Sequence, residues 1–201
     1  MNPLARLRDF GQSVYVDEIR RSWLDDGTLQ AFVDRDGVRG VTSNPAIFEK
    51  AIAQTGDYQE QIEHLAQGGL DVPALYEALV VDDIRRAADV FRPQWDDSHG
   101  RYGWVSLEVD PRLANDTERT VAEAEHLFDR VGRPNVFIKV PGTEAGVPAI
   151  RRLLTQGIPV NVTLLFGLDR YRAVHEAYLE AMEARLDAGE APNVGSVASF
   201  F

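Results

Sequence analysis

NVFIKVPGTEAGVPAIRRLLTQGIPVNVTLLF, residues 135–166, is the stretch whose reading decides the fold. NVFIKV (135–140) has the β-branched, aromatic composition of a strand and stops at the turn PGTEAG. EAGVPAIRRLLTQG reads as a helix ending at Gly157, and IPVNVTLLF (158–166) as a second strand. Strand, helix and strand within about thirty residues make a βαβ unit, whose crossover leaves the two strands parallel.

The same alternation extends outward on both sides. Upstream, WVSLEV (104–109) is strand-like, and NDTERTVAEAEHLFDRVG opens with Asn115 as a cap and Glu118 three residues later, a capping-box pattern. Downstream, the long helical run GLDRYRAVHEAYLEAMEARLDAG precedes a last strand, NVGSVASFF (193–201). In the first half, Ser13 to Asp17 and Val38 to Thr42 read as strands, separated by helical EIRRSWLDDG and TLQAFVDRDG. Ser43 or Asn44 can cap a helix whose first residue is Pro45, and helices are expected over 45–54, 57–67 and 73–91. At the N-terminus, Asn2 can cap a short helix that starts at Pro3 and stops at Gly11. Six strand candidates result, the last with no helix after it. A complete doubly wound sheet is one solution, but it usually carries a Gly-rich phosphate loop after the first strand, and YVDEIRR (15–21) has no Gly-x-Gly. The expected architecture is therefore an α/β fold, a (β/α)8 TIM-type barrel present as about six of its eight βα units. A whole barrel needs about 250 residues, so residues 1–201 are expected to form a single barrel domain incomplete at its C-terminal end.

Composition narrows the function classes. The 201 residues carry 21 Lys and Arg against 32 Asp and Glu, a net charge of -11, the opposite of a nucleic-acid binder's basic footprint. The pI is about 4.8 and the mean hydropathy -0.25. No apolar run approaches the ~20 residues of a membrane span, and Asp9 interrupts the stretch a secretory signal would need. Neither nucleic acid nor membrane is an expected partner, and the cytoplasm is the expected location. With no Cys, disulfides, thiolate metal sites and cysteine nucleophiles are excluded. His64, His99, His126 and His175 lie far apart with no paired spacing, so no metal is expected. PGTEAG lacks the Walker spacing and reads as a βα turn, and no G-x-S-x-G is present.

Of the 21 cationic residues nineteen are Arg and only Lys50 and Lys139 are Lys, so one may ask where an amine that can lose its proton is needed. Lys50 reads as a leftover. Lys139 does not, because of strand parity. Side chains alternate across a strand, which sets Phe137 and Lys139 opposite Ile138 and Val140. Likewise Ser106 and Glu108 oppose Val105, Leu107 and Val109; Asn161 and Thr163 oppose Val160, Val162 and Leu164; Tyr15 and Asp17 oppose Val14 and Val16. Each strand pairs an apolar face that helices can cover with a face that turns polar near its C-terminal end, where barrel active sites lie. A structural ion-pair network would also place charge there, but four strands repeating the pattern favour a functional cluster. Burial disfavours the ammonium form of an amine and exposes a nucleophile that attacks a ketone or aldehyde to give a protonated Schiff base. In such a set, Glu108 with Thr163 can manage the proton and water of dehydration. Asp17 can act as the base for C–C cleavage, and Asn44 and Asn161 can orient hydroxyls without titrating.

VTSNPAIF (41–48), SLEVDPRLANDT (106–117), IKVPGTEAG (138–146) and NVTLLF (161–166) resemble, in order, the signature segments of the transaldolase family, and YVDEIRR resembles its first strand. The resemblance covers Asp17 to Phe201. It implies a (β/α)8 class I aldolase of the pentose phosphate pathway without a cofactor. Such an enzyme moves a dihydroxyacetone unit from sedoheptulose 7-phosphate to glyceraldehyde 3-phosphate, giving erythrose 4-phosphate and fructose 6-phosphate. It further implies Lys139 as the Schiff-base residue, Glu108 with Thr163 as the water-activating pair and Asp17 as acid/base. Asn44, Asn161, Ser199 and Thr42 are its implied substrate contacts, and a homodimer is a possible assembly. Ser43 stands where the family often has Thr, and Ala46 where it has Ser or Thr. The family's phosphate-binding arginines are expected past Phe201, so residues 1–201 alone are expected to turn over poorly. The alternatives are another Schiff-base aldolase, of the type that cleaves fructose 6-phosphate, and a non-catalytic barrel fragment that acts as a binding partner.

Overall fold

The computed structural model describes residues 2–201. Its strands are β1 (Val14–Val16), β2 (Val38–Val41), β3 (Trp104–Glu108), β4 (Val136–Pro141), β5 (Val160–Leu165) and β6 (Ser196–Phe200). They follow one another in the sheet in sequence order, with parallel pairing and helix on every connection. That is the strand order of a (β/α)8 barrel, of which six strands are present. The chain packs as two compact units, Met1–Val105 with Val131–Asn135, and Ser106–Arg130 with Val136–Phe201.

In the first unit, α1 (Pro3–Arg6) starts as the sequence predicts: the Asn2 side chain accepts from the Leu4 amide, and a 3-10 turn carries the chain to Gly11. Between β1 and β2 lie α2 (Arg21–Asp25), α3 (Thr28–Ala31) and a π-helical turn over Phe32–Asp36. After β2 come α4 (Pro45–Gln54), α5 (Gln59–Gln67) and α6 (Val72–Asp97). The last was expected to end at 91. It continues through Pro93 because tertiary contacts hold the extra turn: Gln94 donates to the Val38 carbonyl at 3.1 Å, and Trp95 meets Trp104 edge-on at 6.0 Å. Gly40 in β2 accommodates a close approach. A Cβ there would lie 2.3 Å from the Tyr15 ring and 2.5 Å from the Trp104 carbonyl oxygen. Burial of that ring pushes the Tyr15 phenol up to about 12.

The helices of this unit close over a buried ion pair. Arg21 of α2 places Nε 2.8 Å and Nη2 2.7 Å from Asp83 Oδ1 in α6. The Tyr58 hydroxyl donates to the other Asp83 oxygen at 2.7 Å, and the guanidinium lies 4.4 Å from the centre of the Tyr58 ring. Gln61 and the Leu79 carbonyl take further Arg21 donors. Burial pushes the Asp83 carboxyl above its ordinary range, while Tyr58 and Arg21 pull the other way. Ala51, Tyr58 and Leu79 form the apolar cluster around it, with Ile52, Ile62, Leu65 and Leu75 against them.

In the second unit, β4 is buried at every position, as a strand covered on both faces should be. Here α7 (Thr117–Val131), α8 (Gly146–Thr155) and α9 (Leu168–Asp187) follow β3, β4 and β5 in turn. α8 packs on α9, burying Ala149, Ile150, Leu153 and Leu154 from one and Val174, Ala177, Ala181 and Met182 from the other. Two expectations fail in detail. Asp116, not Asn115, caps α7: its carboxylate accepts from the Arg119 amide at 3.0 Å, and Glu118 pairs instead with Arg152. Leu164 does not share the buried face of Val160 and Val162. It sits at φ 60, half exposed, and the register slips from Val162↔Ala198 to Leu165↔Phe200. Three residues of β5 thus span two of β6, a β-bulge that returns Leu165 to the core. Among the described residues no helix is long and apolar enough to cross a membrane.

Removing only the cation of the Arg21–Asp83 pair leaves a fully buried carboxylate unpaired, which costs about 3–5 kcal/mol. Arg21→Met is expected to lower the urea-unfolding free energy by that amount. A loss under about 1 kcal/mol, the scale of an exposed pair, would contradict the arrangement.

Candidate functional site

In the second unit, parity places Glu108, Lys139, Asn161 and Thr163 as the sequence predicts. Lys139 is the fourth of the six residues of β4 and is only 8% exposed. Its Nζ is 3.1 Å from Glu108 Oε2 at the end of β3, and the backbones lock beside it, the Val109 amide donating to the Lys139 carbonyl at 3.1 Å. Both side chains are about nine-tenths covered, so each charge depends on the other for compensation.

Asn161 stands level with Lys139 in the β4–β5 ladder and is buried. Its Nδ2 donates to Ser106 Oγ at 3.1 Å, and its Oδ1 accepts from Ser199 Oγ at 2.9 Å. Ser199 is half-buried on β6, two residues past Val197, the register partner of Asn161, and so on the same face. Thr163 is buried level with Pro141, next to the bulge at Leu164. The structure thus gathers Glu108 with Lys139, and Asn161 with Ser199. Ser106, on the polar face with Glu108 by parity, joins this group through Asn161, a contact between distant segments that the sequence signals only as a second polar side chain on that face.

The turn after β4 is shaped by its glycines. A Cβ on Gly142 would lie 2.5 Å from the Leu165 side chain, and one on Gly146 2.0 Å from the Pro141 carbonyl. The Gly142 amide donates to the Thr163 carbonyl at 2.8 Å, and Thr143 Oγ1 accepts from the Gly146 amide at 2.9 Å. The Gly142, Thr143 and Gly146 amides and the Thr143 hydroxyl are spent on holding the turn and its neighbours, in keeping with a βα connection.

Asp17, Thr42 and Asn44 belong to the first unit. Asp17 is exposed just past β1, and among the described residues its side chain has no hydrogen-bond or ion-pair partner. It lines a cavity of about 340 Å³ between the segment after β1 and helix α4, together with Glu18, Arg20, Ile47 and Lys50. Lys50, read from the sequence as a leftover, therefore faces the same space. Thr42 is half-buried, its amide donating to the Val16 carbonyl at 2.9 Å. Asn44 caps α4: Oδ1 accepts from the Ile47 amide at 2.9 Å, which orients its amide nitrogen away from the helix end. Of the two caps the sequence allowed, Asn44 takes the role and Ser43 is buried.

The second-unit arrangement offers an amine in reach of a carboxylate that can exchange protons with it, and an amide fixed alongside. No group of three or more His, Cys, Asp or Glu among the described residues could hold a metal ion.

A family model described as Transaldolase/Fructose-6-phosphate aldolase matches residues 14–201. The transaldolase of Mycobacterium tuberculosis (strain ATCC 25618 / H37Rv) is 50% identical over 202 aligned positions, covering all of this chain and 54% of that protein. The transaldolase of Mycobacterium marinum (strain ATCC BAA-535 / M) is 48% identical over the same shares. The chain spans about half the length of the curated relatives it matches.

Mutual compensation in the Lys139–Glu108 pair has a measurable signature. Lys139→Met is expected to cost about 3 kcal/mol by leaving Glu108 covered and unpaired. With Glu108→Gln added, the total should fall short of the sum of the single losses by about 1–3 kcal/mol in urea unfolding. Strictly additive losses would show that the two groups do not pair.

Proposed function

We propose, for a chain that belongs to the transaldolase/fructose-6-phosphate aldolase family, that it carries the Schiff-base chemistry of a transaldolase. The observation that supports this most is the 3.1 Å approach of the Lys139 amine to Glu108 under cover, with the Asn161 amide level with it. In the proposed sequence Glu108 takes a proton from Lys139, and the neutral amine attacks the ketone carbon of a sugar phosphate. Glu108 with Thr163 then returns a proton to the departing hydroxyl, water leaves, and a protonated imine remains. Asp17 removes the proton of the hydroxyl two carbons from the imine carbon. The bond from that hydroxyl-bearing carbon to the carbon next to the imine breaks, an aldehyde departs, and the electron pair stays as an enamine on Lys139. Attack of that enamine on a second aldehyde and hydrolysis of the new imine complete the transfer. Asn161, Ser199, Asn44 and Thr42 orient the substrate hydroxyls.

The proposed donors and acceptors are sedoheptulose 7-phosphate, glyceraldehyde 3-phosphate, fructose 6-phosphate and erythrose 4-phosphate, within the pentose phosphate pathway. No step needs an outside oxidant or reductant, and the protonated imine on Lys139 is itself the electron sink, so the proposal needs no cofactor. The cytoplasm and a homodimer complete it. The family model's description also names fructose-6-phosphate aldolase, and free dihydroxyacetone would be released if the enamine carbon took a proton in place of an aldehyde and water then hydrolysed the imine.

Imine formation uses residues present on this chain and is therefore the step to measure. Incubation with fructose 6-phosphate and borohydride, followed by peptide mass spectrometry, should place a reduced sugar adduct on Lys139. Glu108→Gln should slow its formation by about 10²–10⁴-fold. A folded chain that takes no adduct, or takes it on Lys50, would overturn the reading and favour a non-catalytic binding module. Release of free dihydroxyacetone in place of transfer to an added aldehyde would select the cleaving reaction.

A further inference from the structure

Asn161 is held at both ends by hydroxyls from different strands, one of them two strands away. Ser199 lies on β6, the neighbour of β5. Ser106 lies on β3, with β4 between it and Asn161, yet the two side chains meet at 3.1 Å. Neighbouring strands are about 4.8 Å apart, so strands two apart are separated by roughly 10 Å. A serine and an asparagine meet across that gap because inward side chains of alternate strands converge in a curled parallel sheet. They do so on the face that carries Lys139, since Asn161 is its register partner.

A contact of this kind has a specific effect on the amide. Ser199 occupies an acceptor position on Oδ1, and Ser106 takes one of the two Nδ2 hydrogens. Two hydrogen bonds at opposite ends of a planar group fix its plane as well as its position. One N–H is left to donate, beside the amine. Ser106 is 1% exposed and Asn161 5%, so neither pairing is easily exchanged for water. If Ser106 served packing alone, a small apolar residue would fill the same space without a hydroxyl to bury.

We propose that Ser106 is a positioning residue: its hydroxyl reaches over β4 to fix the Asn161 amide, so that the free N–H meets an acceptor oxygen of the compound bound to Lys139. The proposal deepens the Schiff-base reading and rests on it for the identity of that compound. Ser106 itself does not touch the reacting atoms; it acts through Asn161.

Two measurements on the whole chain test it. The first is independent of activity: the side-chain amide resonances of Asn161 in a ¹⁵N-labelled sample. Ser106→Ala should shift the hydrogen-bonded Nδ2 proton and speed its exchange with solvent, whereas Ser106→Thr, which keeps the hydroxyl, should restore both. The second is the rate of borohydride-trapped adduct on Lys139 with fructose 6-phosphate. Ser106→Ala should lower that rate tenfold or more, in the range of losses caused by misplacing a contact group. Ser106→Thr should recover most of it at unchanged thermal midpoint. If Ser106→Ala leaves the Asn161 resonances unmoved, the proposal is overturned whatever the activity. It is also overturned if Ala and Thr variants lose rate and thermal midpoint together, which is a packing effect. If the unmutated chain forms no adduct, the Schiff-base reading and the substrate role of Ser106 fall, while the resonances still decide whether Ser106 fixes the amide.

Discussion

A lysine and a glutamate placed inside a wall of parallel strands can stay there only by answering each other, and the second unit is organised by that condition. Lys139 and Glu108 are about nine-tenths covered and 3.1 Å apart, on strands whose backbones bond at the same level. The surrounding strand faces keep those two charges compensated. The opposite face of β4 is apolar, with Ile138 and Val140 wholly buried, so only one side of the strand is asked to tolerate charge. Asn161 and Ser106 extend the polar face as neutral groups, which adds hydrogen bonds without adding a further ion to desolvate.

The first unit solves a similar problem to a different end. Arg21 and Asp83 are also buried and paired, but all around them are partners that consume their capacity: Tyr58, Gln61 and the Leu79 carbonyl. Arg cannot give up its proton, so that network has structural work and no nucleophile. Lys139 differs in kind: its side chain is an amine, paired with the Glu108 carboxylate. The residue type separates the two pairs more clearly than their burial does.

One backbone irregularity lies directly beside the polar face of β5. Leu164 adopts φ 60, a conformation that costs an L-residue roughly 1–2 kcal/mol, and lies immediately after Thr163. The bulge it creates lets Leu165 regain the core while the polar face of β5 ends at Thr163. Next to it, Gly142 and Gly146 allow the chain leaving β4 to pass against Leu165 and Pro141 at distances no Cβ would permit. Two neighbouring strands thus terminate in tightly specified turns at the level of the amine.

The sequence by itself determined the order of strands and helices, the faces of β3, β4 and β5 that carry Glu108, Lys139 and Asn161, that Asn44 before Pro45 can cap a helix, and that Lys139 is one of only two amines. These properties repeat with periods of 2 and 3.6 residues or sit at helix ends, so they are local and survive in a one-dimensional reading. The tertiary structure alone decided that Asp116 rather than Asn115 caps α7, that α6 runs through Pro93, that Leu164 leaves the core at a bulge, and that Ser106 reaches Asn161 across β4. Each of these depends on register or on a contact between distant segments. Registers are settled by the summed packing of many side chains at once, and no local pattern encodes that sum.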